Sequence, residues 1–313
     1  MAPHPPPGGS TRTRRLVPCR APTGCARLLG VTSPDGLLPA LTFGDGPRLA
    51  VAVHGITASA MEWPAVARCL PADWTLVAPD LRGRGAAAGL PGPYGLQRHV
   101  EDVCALVRAR RPRETVLVGH SMGAYVALLA AVAEPGLFDR LVLVDGGLPL
   151  PPPPEGVSVD EVLQATLGPA IARLSRTFES EQAYLDFFRA HPALADAWNE
   201  DVAGYVRYDL AGPSGAQRSR VVEEAVRADG RDVLVRAGDF AAAWEALTVP
   251  GVLLRAPLGL FGEAPGLLGD DAVAEAGRRR PDIVVDTVDG ANHYTIVLDE
   301  QFAARVARRI AGE

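Results

Sequence analysis

The chain has 313 residues, 48% hydrophobic and 22% charged, which suits one large α/β domain or such a domain carrying an insertion. Its net charge of −6 argues against nucleic acid or an anionic membrane as the main partner. All 31 basic residues are arginine, so a Walker phosphate loop and Schiff-base chemistry, both of which need a lysine, are excluded.

Residues 1–24 are rich in Pro, Gly, Ser and Arg and contain no apolar run long enough for a signal peptide or a membrane span. They read as a disordered tail on a cytoplasmic protein. The four cysteines, Cys19, Cys25, Cys69 and Cys104, lack paired CxxC spacing and accompanying histidines, which argues against zinc. Cys19 and Cys25 are close enough in sequence for a disulfide. No cofactor and no metal is expected.

After the tail, residues 25–32 read as a strand, Ser33-Pro34-Asp35-Gly36 as a turn, and Leu37–Phe43 as the hairpin partner. Arg48–Val53 is almost wholly apolar, as expected of a strand buried on both faces, and it ends at His54-Gly55-Ile56-Thr57. Ala60–Leu70 can form a helix. Trp74–Ala78 reads as a strand leading into Asp80-Leu81-Arg82-Gly83-Arg84-Gly85. Leu96–Arg110 carries apolar residues at helical spacing. Glu114–Val118 is a β-branched strand, Ala124–Ala133 a helix, and Arg140–Val144 a further buried strand ending at Asp145.

The pattern changes at Leu148. Prolines 149 and 151–154 interrupt it, and from Val159 to about Glu245 the chain reads as wholly helical. Strand–helix alternation then resumes with Val249–Ala256, Asp270–Arg280, Asp282–Val288, a loop over Asp289–Tyr294, and the helix Glu300–Ala311. The fold expected is α/β: a mostly parallel sheet of about eight strands with helices on both faces. Residues 25–147 and 246–313 form its core, and 148–245 form a helical cap inserted after the sixth strand.

Between the fifth strand and the next helix stands Gly119-His120-Ser121-Met122-Gly123, the Gly-x-Ser-x-Gly form of a nucleophile elbow. A serine hydroxyl needs a base to become a nucleophile, and histidine is tuned for that near neutral pH. Of the six histidines, His4 lies in the tail, His191 in the cap and His99 on a helix, while His54 and His120 belong to glycine motifs. His293, in the loop after the last strand, is the candidate general base. Tyr294, Trp63 and the cap aromatics Phe187, Phe188, Trp198, Tyr205 and Trp244 are candidates to face a pocket or to fill the core. Asp80 and Arg82 read as braces of their loop.

With Gly290-Ala291-Asn292-His293 after the final strand, these motifs stand in the order seen in the α/β-hydrolase family, which the chain resembles from about Leu28 to Ile310. The resemblance implies a serine hydrolase with two backbone oxyanion donors, the N–H of Met122 after the nucleophile and the N–H of Ile56 after the His-Gly pair. His54 then shapes the loop. Serine at the nucleophile position sets aside the branches that use aspartate there. The acid departs from the usual pattern, because no aspartate stands in the expected place beyond the seventh strand. Asp145, at the end of the sixth strand, is the preferred acid; Glu263 is the alternative, with Asp270 and Asp271 at longer reach. The expected reaction is hydrolysis of a carboxylic ester or lactone of a small hydrophobic molecule through an acyl-enzyme. Acyl transfer, thioester or C–C hydrolysis and non-catalytic binding of a small ligand are the alternatives.

Overall fold

The computed structural model of the protein describes residues 27–29, 36–110 and 112–313. The tail at 1–24, the Cys19–Cys25 pairing and the turn at 33–35 lie outside the described residues. From the N-terminus come β1 (Arg27–Leu29), β2 (Ala40–Phe43), β3 (Arg48–Val53), α1 (Pro64–Cys69) and β4 (Trp74–Pro79). Next are α2 (Leu96–Arg110), β5 (Thr115–His120), α3 (Met122–Ala133) and β6 (Arg140–Val144). Between β6 and the next sheet strand run α4 (Val159–Leu174), α5 (Glu181–Arg189), α6 (Pro192–Ala195), α7 (Glu200–Asp209), β7 (Leu210–Ala211), β8 (Arg218–Ser219), α8 (Glu223–Val235) and α9 (Ala237–Ala246). The chain closes with β9 (Gly251–Arg255), α10 (Asp270–Arg279), β10 (Val284–Thr287), α11 (Thr295–Leu298) and α12 (Glu300–Ala311).

Eight strands form one sheet in the order β1-β2-β4-β3-β5-β6-β9-β10. The pairings of β1 with β2 and of β2 with β4 are antiparallel, and the rest are parallel. Alternate side chains of each strand point to opposite faces, so the central strands feed two hydrophobic cores. Val51, Val53 and Leu117 pack under α2 and α3, whereas Ala50, Ala52, Val116 and Val118 pack under α1, α11 and α12. This is why β3, β5 and β6 are apolar at nearly every position: neither face meets water. α3 is apolar around its whole circumference because it is enclosed by the sheet, α2 and α9; Tyr125 on α3 meets Phe240 on α9 with ring centroids 4.6 Å apart.

Two local expectations are corrected. The segment between β6 and β9 is not wholly helical, because β7 and β8 form an antiparallel ribbon pairing Leu210 with Ser219 and Ala211 with Arg218. Two-residue strands have no readable period, and the Gly212–Gly215 turn was the only local signal. The helix expected from Ala60 begins at Pro64 instead, after a single 3-10 turn over Ala60–Glu62. Proline has no N–H to give the preceding turn and is suited to the first helical position.

Candidate active site

The site forms where β3, β5, β6 and the loop after β10 end along the carboxyl edge of the sheet. Ser121 sits between β5 and α3 at φ 55°, ψ −122°, outside the regions a serine normally occupies. The crossing of strand and helix forces this turn and demands the flanking glycines. A Cβ on Gly119 would lie 2.1 Å from the Gly123 carbonyl oxygen, and one on Gly123 would lie 2.1 Å from that of Val53. The strained backbone is held by the bond from Ser121 N–H to Val144 O, 2.9 Å.

His293 stands across from Ser121. Its Nδ1 is 2.6 Å from Asp145 Oδ2, and its Nε2 is 3.0 Å from Ser121 Oγ. A carboxylate only accepts, so Nδ1 carries the ring proton and Nε2 is left to accept from the serine hydroxyl. Asp145 follows directly on β6 and is fully buried; its Oδ1 accepts the Ala256 N–H at 3.1 Å. The structure therefore brings Ser121, His293 and Asp145 into one hydrogen-bonded line. Glu263 is exposed on the loop after β9, where its carbonyl accepts the Gly259 N–H at 2.8 Å. Asp270 is bound to Arg255 at 2.5 Å.

Met122 is the first residue of α3, so its N–H has no acceptor within the helix and sits at the positive end of the helix dipole. The Gly55–Ile56 peptide is pinned around the Ile56 N–H. His54 Nδ1 donates to Gly55 O at 2.7 Å, while His54 Nε2 accepts the Leu81 N–H at 3.0 Å. One nitrogen must donate and the other must accept, so His54 is neutral, and burial holds its pKa below the ordinary value. Ile56 O accepts from Arg84 Nε at 3.0 Å and from Arg84 Nη2 at 2.9 Å.

A second histidine–carboxylate pair lies beside the first. His120 Nδ1 is 3.0 Å from Glu62 Oε1, and His120 Nε2 is 2.8 Å from the His293 carbonyl oxygen. Glu62 Oε2 accepts the Gly55 N–H at 3.1 Å. Burial lowers the pKa of His120, but the charge and hydrogen bond of Glu62 outweigh it and the net shift is upward. With an acceptor at each nitrogen, His120 carries both protons. Glu62 had no signal in sequence, and His120 was visible only as part of a glycine motif.

Asn292 orders the turn that carries His293. Its Oδ1 accepts the N–H groups of Tyr294 and Thr295, each at 2.9 Å, and its Nδ2 donates to Ala193 O on α6 at 2.8 Å. Asp80 and Arg82 do not pair with each other. Asp80 accepts from Ala60 and Ala86 N–H and from Tyr208 Oη, whereas Arg82 is bound to Asp102.

A cavity of about 150 Å³ opens above Ser121. α4 and α8 contribute an aliphatic wall of Leu163, Leu167, Val233 and Leu234, with Leu150 and Leu267 beside it. Tyr205, Tyr294, His191 and Phe261 also line it. Of the other aromatic candidates, Trp63 and Trp244 are buried in the cores, Phe187 and Phe188 pack edge-on against each other, and Trp198 lies under Arg189. Burial raises the Tyr294 hydroxyl to about 12 and that of Tyr205 well above its usual value, so both are neutral donors.

A strand–nucleophile–helix turn, with a histidine and an acid from later strand ends, defines a class. The profile of the Alpha/beta hydrolase family matches residues 50–309, and the chain belongs to that family. It is 29% identical over 260 residues to 2-(acetamidomethylene)succinate hydrolase of Mesorhizobium japonicum, covering 80% of this chain and 83% of that protein. It is 36% identical over 141 residues to N-formylmaleamate deformylase of Pseudomonas putida, covering 41% of this chain and 50% of that protein. Among solved structures, the thioesterase domain from the curacin biosynthetic pathway superposes with a TM-score of 0.72 at 19% identity, covering 92% of this chain and all 100% of that one.

Proposed function

We propose that the protein is a serine hydrolase that cleaves a carboxylic ester or lactone with a small, uncharged, apolar acyl group. The observation that carries this reading is the continuous line from Ser121 Oγ through His293 to Asp145, 3.0 and 2.6 Å, at the floor of an apolar cavity. Ser121 Oγ gives its proton to His293 Nε2 and bonds to the carbonyl carbon. The N–H groups of Ile56 and Met122 receive the oxyanion. His293 then protonates the leaving alcohol, which departs as the acyl-enzyme forms. Water, deprotonated by the same nitrogen, releases the acid and returns the proton to Ser121. Asp145 holds the imidazole in the required tautomer and balances the imidazolium that forms.

Residues 148–245 are read as a cap that supplies most of the aliphatic wall. An apolar cavity of about 150 Å³ is the size that takes up benzene, which suits an acyl group of about six carbons or fewer. The named substrates of the two relatives, a succinate and a maleamate, carry carboxylates. No arginine stands among the described residues lining this cavity, and its one carboxylate, Glu62, is balanced by His120. That favours an uncharged acyl group here. Amide or thioester cleavage is the second reading, favoured by the deformylase and thioesterase likenesses, and it uses the same apparatus.

The test is a panel of p-nitrophenyl esters, from acetate to decanoate and including the hemisuccinate, with fluorophosphonate labelling. The expected result is stoichiometric labelling of the wild type, none of Ser121→Ala, and kcat/KM highest for short chains and lowest for hemisuccinate esters. An unlabelled wild type that turns over none of them overturns the reading.

A further inference from the structure

Arg84, Asp229 and His99 form a buried cluster that the proposed chemistry does not use. We propose that Arg84 and Asp229 are positioning residues for the oxyanion donor of Ile56, tying the donor's geometry to the seating of α8. This rests on the reading of Ser121 as nucleophile and of Ile56 N–H as donor. All three side chains are excluded from solvent. Arg84 and His99 belong to the sheet's own loops and helices, whereas Asp229 comes from α8 in the segment between β6 and β9.

The Arg84 and Asp229 side chains are held from several sides. Arg84 Nε and Nη2 both donate to Ile56 O, Nη1 donates to Arg82 O at 2.9 Å, and Nη1 also meets Asp229 Oδ2 at 2.5 Å. The Asp229 carboxylate in turn accepts from His99 Nε2 at 2.9 Å and from Gly95 N–H at 2.8 Å. Burial pushes the Asp229 carboxyl up, but Arg84 and the bond from His99 outweigh it and hold it below its ordinary value. The ion pair is therefore charged.

A buried ion pair is a poor stabiliser compared with well-packed apolar side chains, since desolvation cancels most of its attraction. What it supplies here is direction. The planar guanidinium fork clamps one carbonyl with two donors, which a point charge cannot do. That carbonyl belongs to Ile56, whose N–H is the proposed oxyanion donor, and misplacing such a donor by an ångström is enough to slow turnover. α8 also touches Ile56 from the side-chain direction: a Cβ on Gly230 would lie 3.3 Å from Ile56 Cδ1 and 2.7 Å from Leu163 Cδ2. One helix thus bounds the acyl cavity and, through Asp229 and Arg84, sets the oxyanion loop.

The experiment compares Asp229→Asn, Arg84→Lys and Asp232→Asn with the wild type on p-nitrophenyl butyrate. A trifluoromethyl ketone serves as a probe of oxyanion binding. Asp232 is the control for α8 seating, because it accepts the Leu96 N–H at 2.9 Å from the same helix but does not touch Arg84. The expected result is a fall in kcat of about 10–100-fold for Asp229→Asn and Arg84→Lys, with KM within about threefold. The ketone's affinity should fall in parallel, and Asp232→Asn should match the wild type. Arg84→Lys keeps a positive charge beside Asp229, so it decides the matter even where Asp229→Asn folds poorly. The proposal is overturned if Arg84→Lys keeps wild-type kcat and ketone affinity, or if Asp229→Asn and Asp232→Asn lose activity equally. A wild type that neither turns over the ester nor binds the ketone overturns instead the reading of the site itself.

Discussion

Two histidines stand side by side at the centre of this molecule, their ring centroids 4.7 Å apart, each against a buried carboxylate. They differ in what is left over. His293 spends Nδ1 on Asp145 and keeps Nε2 for the hydroxyl of Ser121. His120 spends Nδ1 on Glu62 and Nε2 on the His293 carbonyl, so no ring nitrogen remains to meet Ser121 or a substrate. A histidine with a spare nitrogen can do acid–base work, and one without can only hold things in place. The second pair holds both sides of the site, since Glu62 also binds the Gly55 N–H next to the proposed oxyanion donor.

The contrast breaks most visibly under substitution at the first pair. Ser121→Ala and His293→Gln are each expected to lower kcat on a short p-nitrophenyl ester by about 10⁴-fold or more. Asp145→Asn should cost about 10³–10⁴-fold by favouring the wrong tautomer of His293. Glu263→Gln should stay within about twofold, and the reverse ranking of these two carboxylates would discard the proposed assignment of the acid. At the second pair, Glu62→Gln and His120→Gln should lower kcat by about 10–100-fold and leave KM nearly unchanged, because they displace groups without removing them. Activity as low as that of His293→Gln would mean that His120 does more than position.

The smallest expected effect is on stability, and two histidines give it opposite signs. The folded-state pKa of His120 is raised, so its contribution is fully present below histidine's ordinary 6.5 and is lost as pH rises through the folded value. The folded-state pKa of His54 is depressed, so the unfolded chain takes up a proton first and the folded state loses stability as pH falls below 6.5. Urea melts across pH 5–9 should therefore show the gap between wild type and His120→Gln shrinking toward alkaline pH. The gap between wild type and His54→Gln should shrink toward acid pH. Parallel curves for the two variants would contradict the protonation states argued for these rings.

Much of the architecture was legible because it depends on local pattern. Residues 49–53 and 116–118 are apolar at every inward and outward position, and Glu300–Ala311 buries Ala303, Val306, Ala307 and Ile310 at helical spacing. The β7–β8 ribbon was not legible, since two residues per strand leave no periodicity. Pro64 moved a helix start by cutting off the turn before it. Glu62, Arg84 and Asp229 escaped notice as site residues for a different reason. Glu62 and His120 are 58 residues apart, and Asp229 and His99 are 130 apart, so nothing local marks either pair.

By itself the sequence determined the order of the sheet strands, their apolar character, and a serine held in a glycine-flanked turn between strand and helix. These follow from side-chain periodicity and from backbone sterics within a few residues. Only the tertiary structure decided which carboxylate lies within reach of His293 Nδ1, that His120 is consumed by two acceptors, and that α8 reaches the Ile56 carbonyl through Asp229 and Arg84. Each of these is a hydrogen bond between strand ends and loops far apart in the chain. Its existence depends on distances of about 3 Å that only the closed sheet and the helices packed on it can set.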